Sequence, residues 1–227
     1  MFKIFKIFIL FIIITLPFSS QAHVQHYEDL KSIEFDIYRI NKLIGTHIFS
    51  FSKSNKQLFV KSEINFEIKK LGVVLYRYKV EGTEIYENGK LIKFNSKTNQ
   101  NGKKKYVNML LENEEYLIDG SSYKGKAPLD YLLGTWWNHS IVEAKAQISA
   151  VSGRIIKQNV TFIGKEAITI NNKTYNTLHF NFTSADKKLK KDKRLNTHVW
   201  YDEKTLNWVK ASFKKKGKWE YKLVNLK

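Results

Sequence analysis

The sequence of this 227-residue chain predicts an all-β protein built on a curved antiparallel sheet. We expect a half-barrel or open barrel of many hairpins, with one short helix. Three observations predict this class: apolar and polar residues alternate along most of the chain, Asn-Gly pairs separate successive segments, and proline occurs only at Pro17 and Pro128. Alternation with period two is typical of half-buried strands. Short strands with tight turns favour an antiparallel meander over a parallel sheet with crossover helices.

Residues 1–22 have the composition of a secretory signal peptide. Lys3 and Lys6 precede an apolar run, and Ala22 ends a stretch with small residues where signal peptidase cleaves. The run is shorter than the roughly 20 residues that a membrane span needs. We therefore expect cleavage after Ala22. The mature chain, residues 23–227, would then be a single all-β domain that is periplasmic or otherwise exported and soluble.

Strand segments follow one another along nearly the whole mature chain. Strands are predicted at 32–40, 44–53, 57–70, 73–87, 90–100, 103–111, 115–119, 146–152, 154–163, 166–170, 173–184, 195–202, 206–214 and 218–225. The alternation is clearest in 57–70, where Leu58, Val60 and Ile64 share one face and charged residues occupy most of the other. Such a segment buries one face of a sheet in a core.

Glycine marks the turns and one interruption of this pattern. Asn88-Gly89 and Asn101-Gly102 predict two-residue hairpin turns, because both central positions of such a turn need positive φ. Between Val80 and Ile85 the apolar residues change parity, and Gly82 lies at that point. A glycine at a change of parity predicts a β-bulge.

The stretch APLDYLLGTWWNHSIV, residues 127–142, does not alternate. Residues 128–133 predict a short helix, because Pro128 suits a first helical turn and Gly134 suits the end of a helix. We interpret this stretch as a link between an N-terminal and a C-terminal meander.

The formal net charge of +18 restricts the classes of partner. Lysine clusters at 103–105, 187–194 and 214–216 fall at predicted turns, where they are typical of solvated tips that discourage strand aggregation. A weak contact with an anionic surface is the alternative interpretation. Nucleic acid is not expected, because arginine, which specific phosphate recognition favours, occurs at only four positions. The oligomeric state is left open.

Several segments, taken in order, carry a family resemblance. They are Ile44-Gly45-Thr46-His47, Leu133-Gly134-Thr135-Trp136-Trp137-Asn138, Ser152-Gly153-Arg154 and Trp200-Tyr201-Asp202. The chain resembles a family of small exported bacterial proteins known only as a domain of unknown function. That resemblance implies export and an all-β fold, and it supplies no catalytic residues. A looser likeness links the chain to curved β-sheet envelope proteins that cradle lipid chains.

Catalytic and metal-binding patterns are weak in this chain. It has no cysteine and no Gly-x-Ser-x-Gly motif, so a nucleophilic triad is not indicated. His179, His198 and Asp202 have a spacing compatible with zinc ligands, but we interpret the histidines as ordinary strand residues. Glu84 and the other carboxylates lack the identifiable partner that glycoside cleavage requires. We therefore expect no catalytic residues, metal or cofactor.

Aromatic residues of the last three strands are the strongest functional signal. Strand parity places Val199, Tyr201, Val209 and Phe213 on one face. The same parity places His198, Trp200 and Trp208 on the other face, where a fully solvated surface would not need two tryptophans. A cavity with aromatic walls is one explanation, and plain core packing is the other. The candidate ligand-binding residues are Trp136, Trp137, Trp200, Trp208 and His198.

From these patterns we expect an exported envelope protein that binds a lipid-like or apolar ligand on a concave sheet and is not an enzyme. Two alternatives stay open. One is a hydrolase of an envelope glycan or lipid, and the other is a structural partner in an envelope complex. A deep apolar cavity would favour the first function, a polar cleft with converging histidines and carboxylates the second, and a filled sheet with an exposed apolar patch the third.

Overall fold

A computed structural model describes Tyr27 and residues 29–227, and in this part of the chain it shows one sheet of fifteen strands. The strands are β1 (Ser32–Arg39), β2 (Lys42–Ser54), β3 (Gln57–Lys70), β4 (Val73–Glu87), β5 (Lys90–Gln100), β6 (Lys103–Glu112), β7 (Glu115–Gly120), β8 (Lys124–Pro128), β9 (Tyr131–Leu133), β10 (Ala146–Ile148), β11 (Ile155–Ile170), β12 (Lys173–Ser184), β13 (Asn196–Asp202), β14 (Trp208–Lys214) and β15 (Lys218–Leu226). The sheet is barrel-like and nearly closed, which confirms the predicted fold class.

The two halves of the chain form two arms of the same sheet. The spatial order runs from β8 down to β1 and then from β15 down to β9. The arms join where β1 pairs with β15, with Ile37 opposite Tyr221. Among the described residues, neighbouring strands are antiparallel except β9 and β10, which pair in parallel. The N-terminal arm (β1–β8) and the C-terminal arm (β9–β15) therefore enclose a common interior.

The tight turns form as the sequence predicts. Asn88 and Gly89 have φ values of 50° and 76°, and Asn101 and Gly102 have φ values of 51° and 85°. These positions are in the left-handed region, which asparagine and glycine tolerate better than other residues.

The concave face of the sheet is the core. In β1 the side chains of Ile33, Phe35 and Ile37 are at most 1% exposed, and the residues between them are half-buried. The largest fully buried side chains are Trp137, Trp208, Tyr27, Tyr201, Phe35 and Phe49. Aromatic side chains carry much of the burial, because each removes a large apolar area from water.

A segment that we call the plug, residues 129–153, begins the C-terminal arm with β9 and β10 and reaches into this interior. Its Trp137 packs edge-to-face on Phe51 and Tyr86 of the N-terminal arm, at ring-centroid distances of 5.3 and 5.6 Å. Its Trp136 packs on Trp208 of the C-terminal arm at 5.6 Å. The plug therefore fills part of the space between the arms.

The prediction of a helix over 128–133 is wrong. Strand β8 ends at Pro128, and β9 begins at Tyr131 and pairs with β10. The described helical segments are short 3-10 turns at His139–Val142 and Lys191–Lys193. The helix signals were local, whereas the pairing of β9 depends on a strand that comes thirteen residues later in the chain.

The bulge predicted at Gly82 is also wrong. Pairing of β4 with β3 and with β5 continues through Gly82 without a change of register. Val80, Gly82, Glu84 and Tyr86 therefore all face the interior, and each is buried. The apparent change of parity arose because a carboxylic acid occupies an interior position.

Because neighbouring strands run in opposite directions, alternate hairpin turns lie at the same end of the barrel. One end, called the basic end, carries the tips between β1 and β2, β3 and β4, β5 and β6, and β14 and β15, together with the 185–195 loop. All three lysine clusters predicted at turns, 103–105, 187–194 and 214–216, lie there.

The predicted signal peptide, residues 1–22, lies outside the described residues. In the described part of the chain, no helix has the length and apolar character needed to cross a bilayer.

Candidate ligand-binding site

A cavity of about 220 Å³ lies between the N-terminal arm and the plug. Its walls include Val80 and Phe94 from the sheet and Trp136, Ala150 and Val151 from the plug. Mostly apolar walls with a few polar groups are typical of small-molecule sites. The sheet positions are interior because they follow the alternation of β4 and β5.

Two polar groups at this cavity have no hydrogen-bond partner among the residues that the structure describes. They are the buried Nε1 of Trp136 and Nδ1 of His47. The other ring nitrogen of His47 lies 3.0 Å from Ser62 Oγ. Burial lowers the pKa of His47 to about 3, so this imidazole is neutral at physiological pH. A ligand that carries a polar atom would find two groups here able to bond with it.

An aromatic wall extends from the cavity toward the basic end. It consists of six interior-facing side chains, Phe66, Tyr76, Tyr78, Phe213, Trp219 and Tyr221. Phe66 stacks on Tyr78 at 4.8 Å and meets Trp219 at 5.3 Å. Most of these rings are half-buried, so the wall is partly accessible to solvent.

Tyr221 connects the aromatic wall to the cavity. Its ring centroid lies 5.9 Å from that of His47 and 6.4 Å from that of Trp136, both of which line the cavity. The same ring lies 6.4 Å from Phe213 of the wall. The apolar surface is therefore continuous from the cavity to the basic end.

Arg39 borders the wall at the basic end, and Lys105 is a second, partly buried cation on the inner side of the sheet. The Arg39 guanidinium lies 5.8 Å from the Trp219 ring centre, and its Nη2 donates to the Lys216 carbonyl at 2.5 Å. Lys105 shares the inner parity of Val107, and its Nζ donates to Gln100 at 2.7 Å. Partial burial, together with the charges of neighbouring cations, lowers the pKa of Lys105.

A buried acid fastens the plug to the N-terminal arm. Glu84 is fully buried and accepts hydrogen bonds from the Tyr86 hydroxyl at 2.6 Å and from Trp137 Nε1 at 3.0 Å. Burial raises the pKa of Glu84 to about 7, although these hydrogen bonds oppose the shift. Sequence reasoning missed this role, and the break in alternation after Gly82 was the signal that could have indicated it.

The outer face of the C-terminal arm carries a second polar cluster. Glu166 accepts from Trp200 Nε1 at 2.6 Å and lies 2.8 Å from His179 Nδ1. His179 Nε2 lies 2.8 Å from His198 Nδ1, and its ring stacks on Trp200 at 4.2 Å. Partial burial lowers the pKa of both histidines. In the neutral state His179 donates to Glu166 and accepts from His198, so His198 Nε2 presents a lone pair to solvent.

The five sequence-predicted ligand residues do not form one site. Trp136 lies at the cavity and Trp137 lies at Glu84, whereas Trp200 and His198 lie on the outer face. The placement of Trp208 on that outer face was wrong. A register shift between Trp200 and Tyr201 turns Trp208 inward. There its side chain is fully buried, and its ring centroid lies 3.9 Å from that of Phe35. A bulge adds one residue and so reverses the parity of everything beyond it.

The histidine and aspartate residues considered as metal ligands do not converge. His179 and His198 bond to each other, and Asp202 Oδ1 accepts from the backbone nitrogens of Lys204 and Thr205. Among the residues that the structure describes, no group of three or more potential ligands is arranged around a common point.

Comparison with known families gives one assignment. Residues 35–224 match the model of the family described as a domain of unknown function, DUF6134. The chain belongs to this family. The predicted membership of a family of unknown function is thereby confirmed.

Comparison with solved structures supports the fold. The crystal structure of a beta-barrel-like protein of domain of unknown function DUF1849 from Brucella abortus is similar, with a TM-score of 0.59 and 11% sequence identity. The match covers 87% of this chain and 96% of that one. At this identity the similarity concerns the fold alone. The search of curated proteins found no match.

Proposed function

We propose that this chain is an exported envelope protein that binds a lipid-like ligand inside its curved sheet and carries out no chemistry. The observation that carries the proposal is the continuous apolar surface from the cavity at Trp136, past Tyr221, to the half-buried aromatic wall. Aromatic side chains that remain partly exposed on the concave side of a barrel are costly to leave in water, and an apolar ligand would cover them.

The dimensions support an elongated ligand. Ligand pockets usually measure about 300–1,000 Å³, so the 220 Å³ cavity holds only part of such a molecule. The rest would lie along the aromatic wall. Arg39 at its outer end suits an anionic head group, and Trp136 Nε1 suits an acceptor atom within the ligand.

A cavity-filling substitution tests ligand binding. Val80→Phe adds a ring to the cavity wall, whereas the control Thr83→Phe adds the same ring on the opposite face of β4. We expect a dansyl-labelled fatty acid to bind wild type and Thr83→Phe equally and to bind Val80→Phe at least ten-fold more weakly. Native mass spectrometry of protein purified from its own envelope should show a co-purifying amphiphile that Val80→Phe lacks. Equal binding to all three proteins would contradict the proposed site.

The exported location is part of the proposal and rests on the pattern of residues 1–22. We expect the protein in the envelope fraction to begin at His23. N-terminal sequencing measures this directly, and a chain that retains Met1 would overturn the export proposal.

A second candidate function, hydrolysis, is favoured by the outer-face chain of Glu166, His179 and His198. A carboxylate that orients one histidine, which in turn orients another, leaves His198 Nε2 as a potential base. Hydrolysis of p-nitrophenyl esters of several chain lengths tests this function. Activity that His198→Gln abolishes, and that Val80→Phe leaves intact, would support the enzyme over the binding protein.

A further inference from the structure

Among the described residues, the four most exposed of the large apolar side chains gather on adjacent hairpin tips at the basic end. Leu71, at the tip between β3 and β4, is 95% exposed, and Val73 beside it is 62% exposed. Ile40, at the tip between β1 and β2, is 59% exposed, and Leu43 is 57% exposed. Scattered exposed apolar residues are ordinary, but a contiguous group indicates an interaction surface.

Two of these apolar residues occupy backbone positions that do not favour them. Leu71 and Ile40 both have φ of 49°, in the left-handed region. At the corresponding positions of other turns, Asn88 and Asn101 have φ of 50° and 51°. A leucine, and still more a β-branched isoleucine, is uncommon there. The fold therefore accepts backbone strain while keeping apolar side chains at the two tips.

The same tips are strongly basic. We define the basic rim as residues 39–43, 69–73 and 214–218. These ranges contain eight lysine or arginine residues and no aspartate or glutamate. Among the described residues, the ion pairs of the rim are Lys69 with Glu67 and Lys218 with Glu220. Of the other rim cations in the described part of the chain, Lys42, Lys70, Lys214, Lys215 and Lys216 are exposed and have no ion pair, and Arg39 lies against Trp219.

Contacts between the tips make the rim one surface. A Cβ on Gly217 would lie 2.9 Å from the Ile40 side chain, so these two tips touch. Arg39 donates to the Lys216 carbonyl across the same junction. Strand β2 pairs with β3 up to Gly45 and Phe66, which places the tip with Leu71 next to the tip with Ile40.

We propose that the basic rim docks on the surface of an anionic lipid bilayer, with Leu71 and Ile40 inserted among the head groups and the rim lysines over the phosphates. Apolar side chains flanked by cations are the combination that binds such an interface. Charge alone would also suit an anionic polysaccharide, but that partner offers no apolar phase for Leu71. The inference goes beyond ligand binding and does not depend on it, although docking would turn the aromatic wall toward the bilayer.

Site-specific labelling tests insertion. The chain contains no cysteine, so Leu71→Cys introduces the sole thiol. Leu110→Cys, at an apolar side chain that is 44% exposed on β6, is the matched control. With an environment-sensitive nitrobenzoxadiazole label, vesicles of equal phosphatidylcholine and phosphatidylglycerol should blue-shift the emission at position 71 and leave position 110 unchanged. The same emission at both positions with and without vesicles would overturn the proposal.

Sedimentation with the same vesicles tests the charge and the strained tips. Lys215→Gln with Lys216→Gln should weaken binding about 25-fold, since each basic residue near an anionic surface contributes a factor of about five. Lys56→Gln with Lys204→Gln, at the opposite end, should change vesicle binding less than two-fold.

Leu71→Asn should weaken vesicle binding about ten-fold. It should nevertheless raise the melting temperature, because asparagine tolerates positive φ. A lower melting temperature for Leu71→Asn would contradict the strain argument.

Two further outcomes separate this proposal from its alternatives. Binding to soluble dextran sulfate as tight as to vesicles, and unaffected by Leu71→Asn, would assign the rim to a polysaccharide and refute bilayer docking. The fatty-acid assay should give wild-type binding for Leu71→Asn, and Val80→Phe should still bind vesicles. Failure of the rim and failure of the ligand site are therefore distinguishable.

Discussion

Replacement of the buried acid that holds the plug should change the pH dependence of stability. Glu84 is enclosed by Tyr86, Tyr116 and Trp137, and burial raises its pKa from an ordinary 4.5 to about 7. The native state therefore holds this proton more tightly than the unfolded chain does. The stabilisation that the native state gains from this raised pKa is fully present below pH 4.5. It decreases as pH rises from 4.5 to about 7, and it is absent above pH 7.

The size of the effect follows from the shift. A difference of 2.5 in pKa corresponds to about 3 kcal/mol, at 1.36 kcal/mol for each pKa unit. Glu84→Gln keeps the shape of the side chain and cannot ionise. We therefore expect the free energy of unfolding of the variant, relative to wild type, to rise by about 3 kcal/mol between pH 4.5 and pH 7.

Urea unfolding followed by tryptophan fluorescence measures this difference across the pH range. Glu112→Gln, at an exposed position in β6, is the control and should track wild type at every pH. The buried His47 also contributes to the pH dependence, but it is present in all three proteins and cancels in the comparison. Parallel profiles for wild type and Glu84→Gln would refute the reasoning, because they would mean that Glu84 titrates normally.

The remaining predictions concern packing, turns and acid stability. Trp208→Ala should cost about 3–5 kcal/mol in urea unfolding and Trp200→Ala less, because Trp208 fills the interior and Trp200 lies on the outer face; equal costs would contradict this. Gly102→Ala should destabilise by about 1 kcal/mol in thermal melts, since its φ is +85°. His47 stabilises the fold fully above pH 6.5 and progressively less as pH falls toward 3. His47→Gln should therefore flatten the acid limb of the stability profile, and an unchanged limb would exclude that role.

Much of the candidate site depends on information that local sequence does not carry. Trp136 was identified as a ligand residue and lies at the cavity, but His47 and the aromatic wall were not. Their convergence depends on the pairing of β1 with β15, which joins residues nearly two hundred positions apart. Trp208 was assigned to the wrong face because one bulge reverses parity, and no residue in the sequence marks that bulge.

The sequence by itself determined most of the strands, the Asn-Gly turns and, except for Trp208, the inner face of the last strands, because alternation and positive φ are local properties of the chain. It did not indicate β8 or β9, and it divided β11 into two strands. Tertiary structure alone decided three things: that Glu84 is an interior acid, that residues 129–153 occupy part of the barrel interior, and that the lysine clusters share one end. Each depends on which distant strands become neighbours. The closure of the sheet decides which strands are neighbours. It does so through long-range pairing, and a periodic pattern in the sequence does not specify the partners.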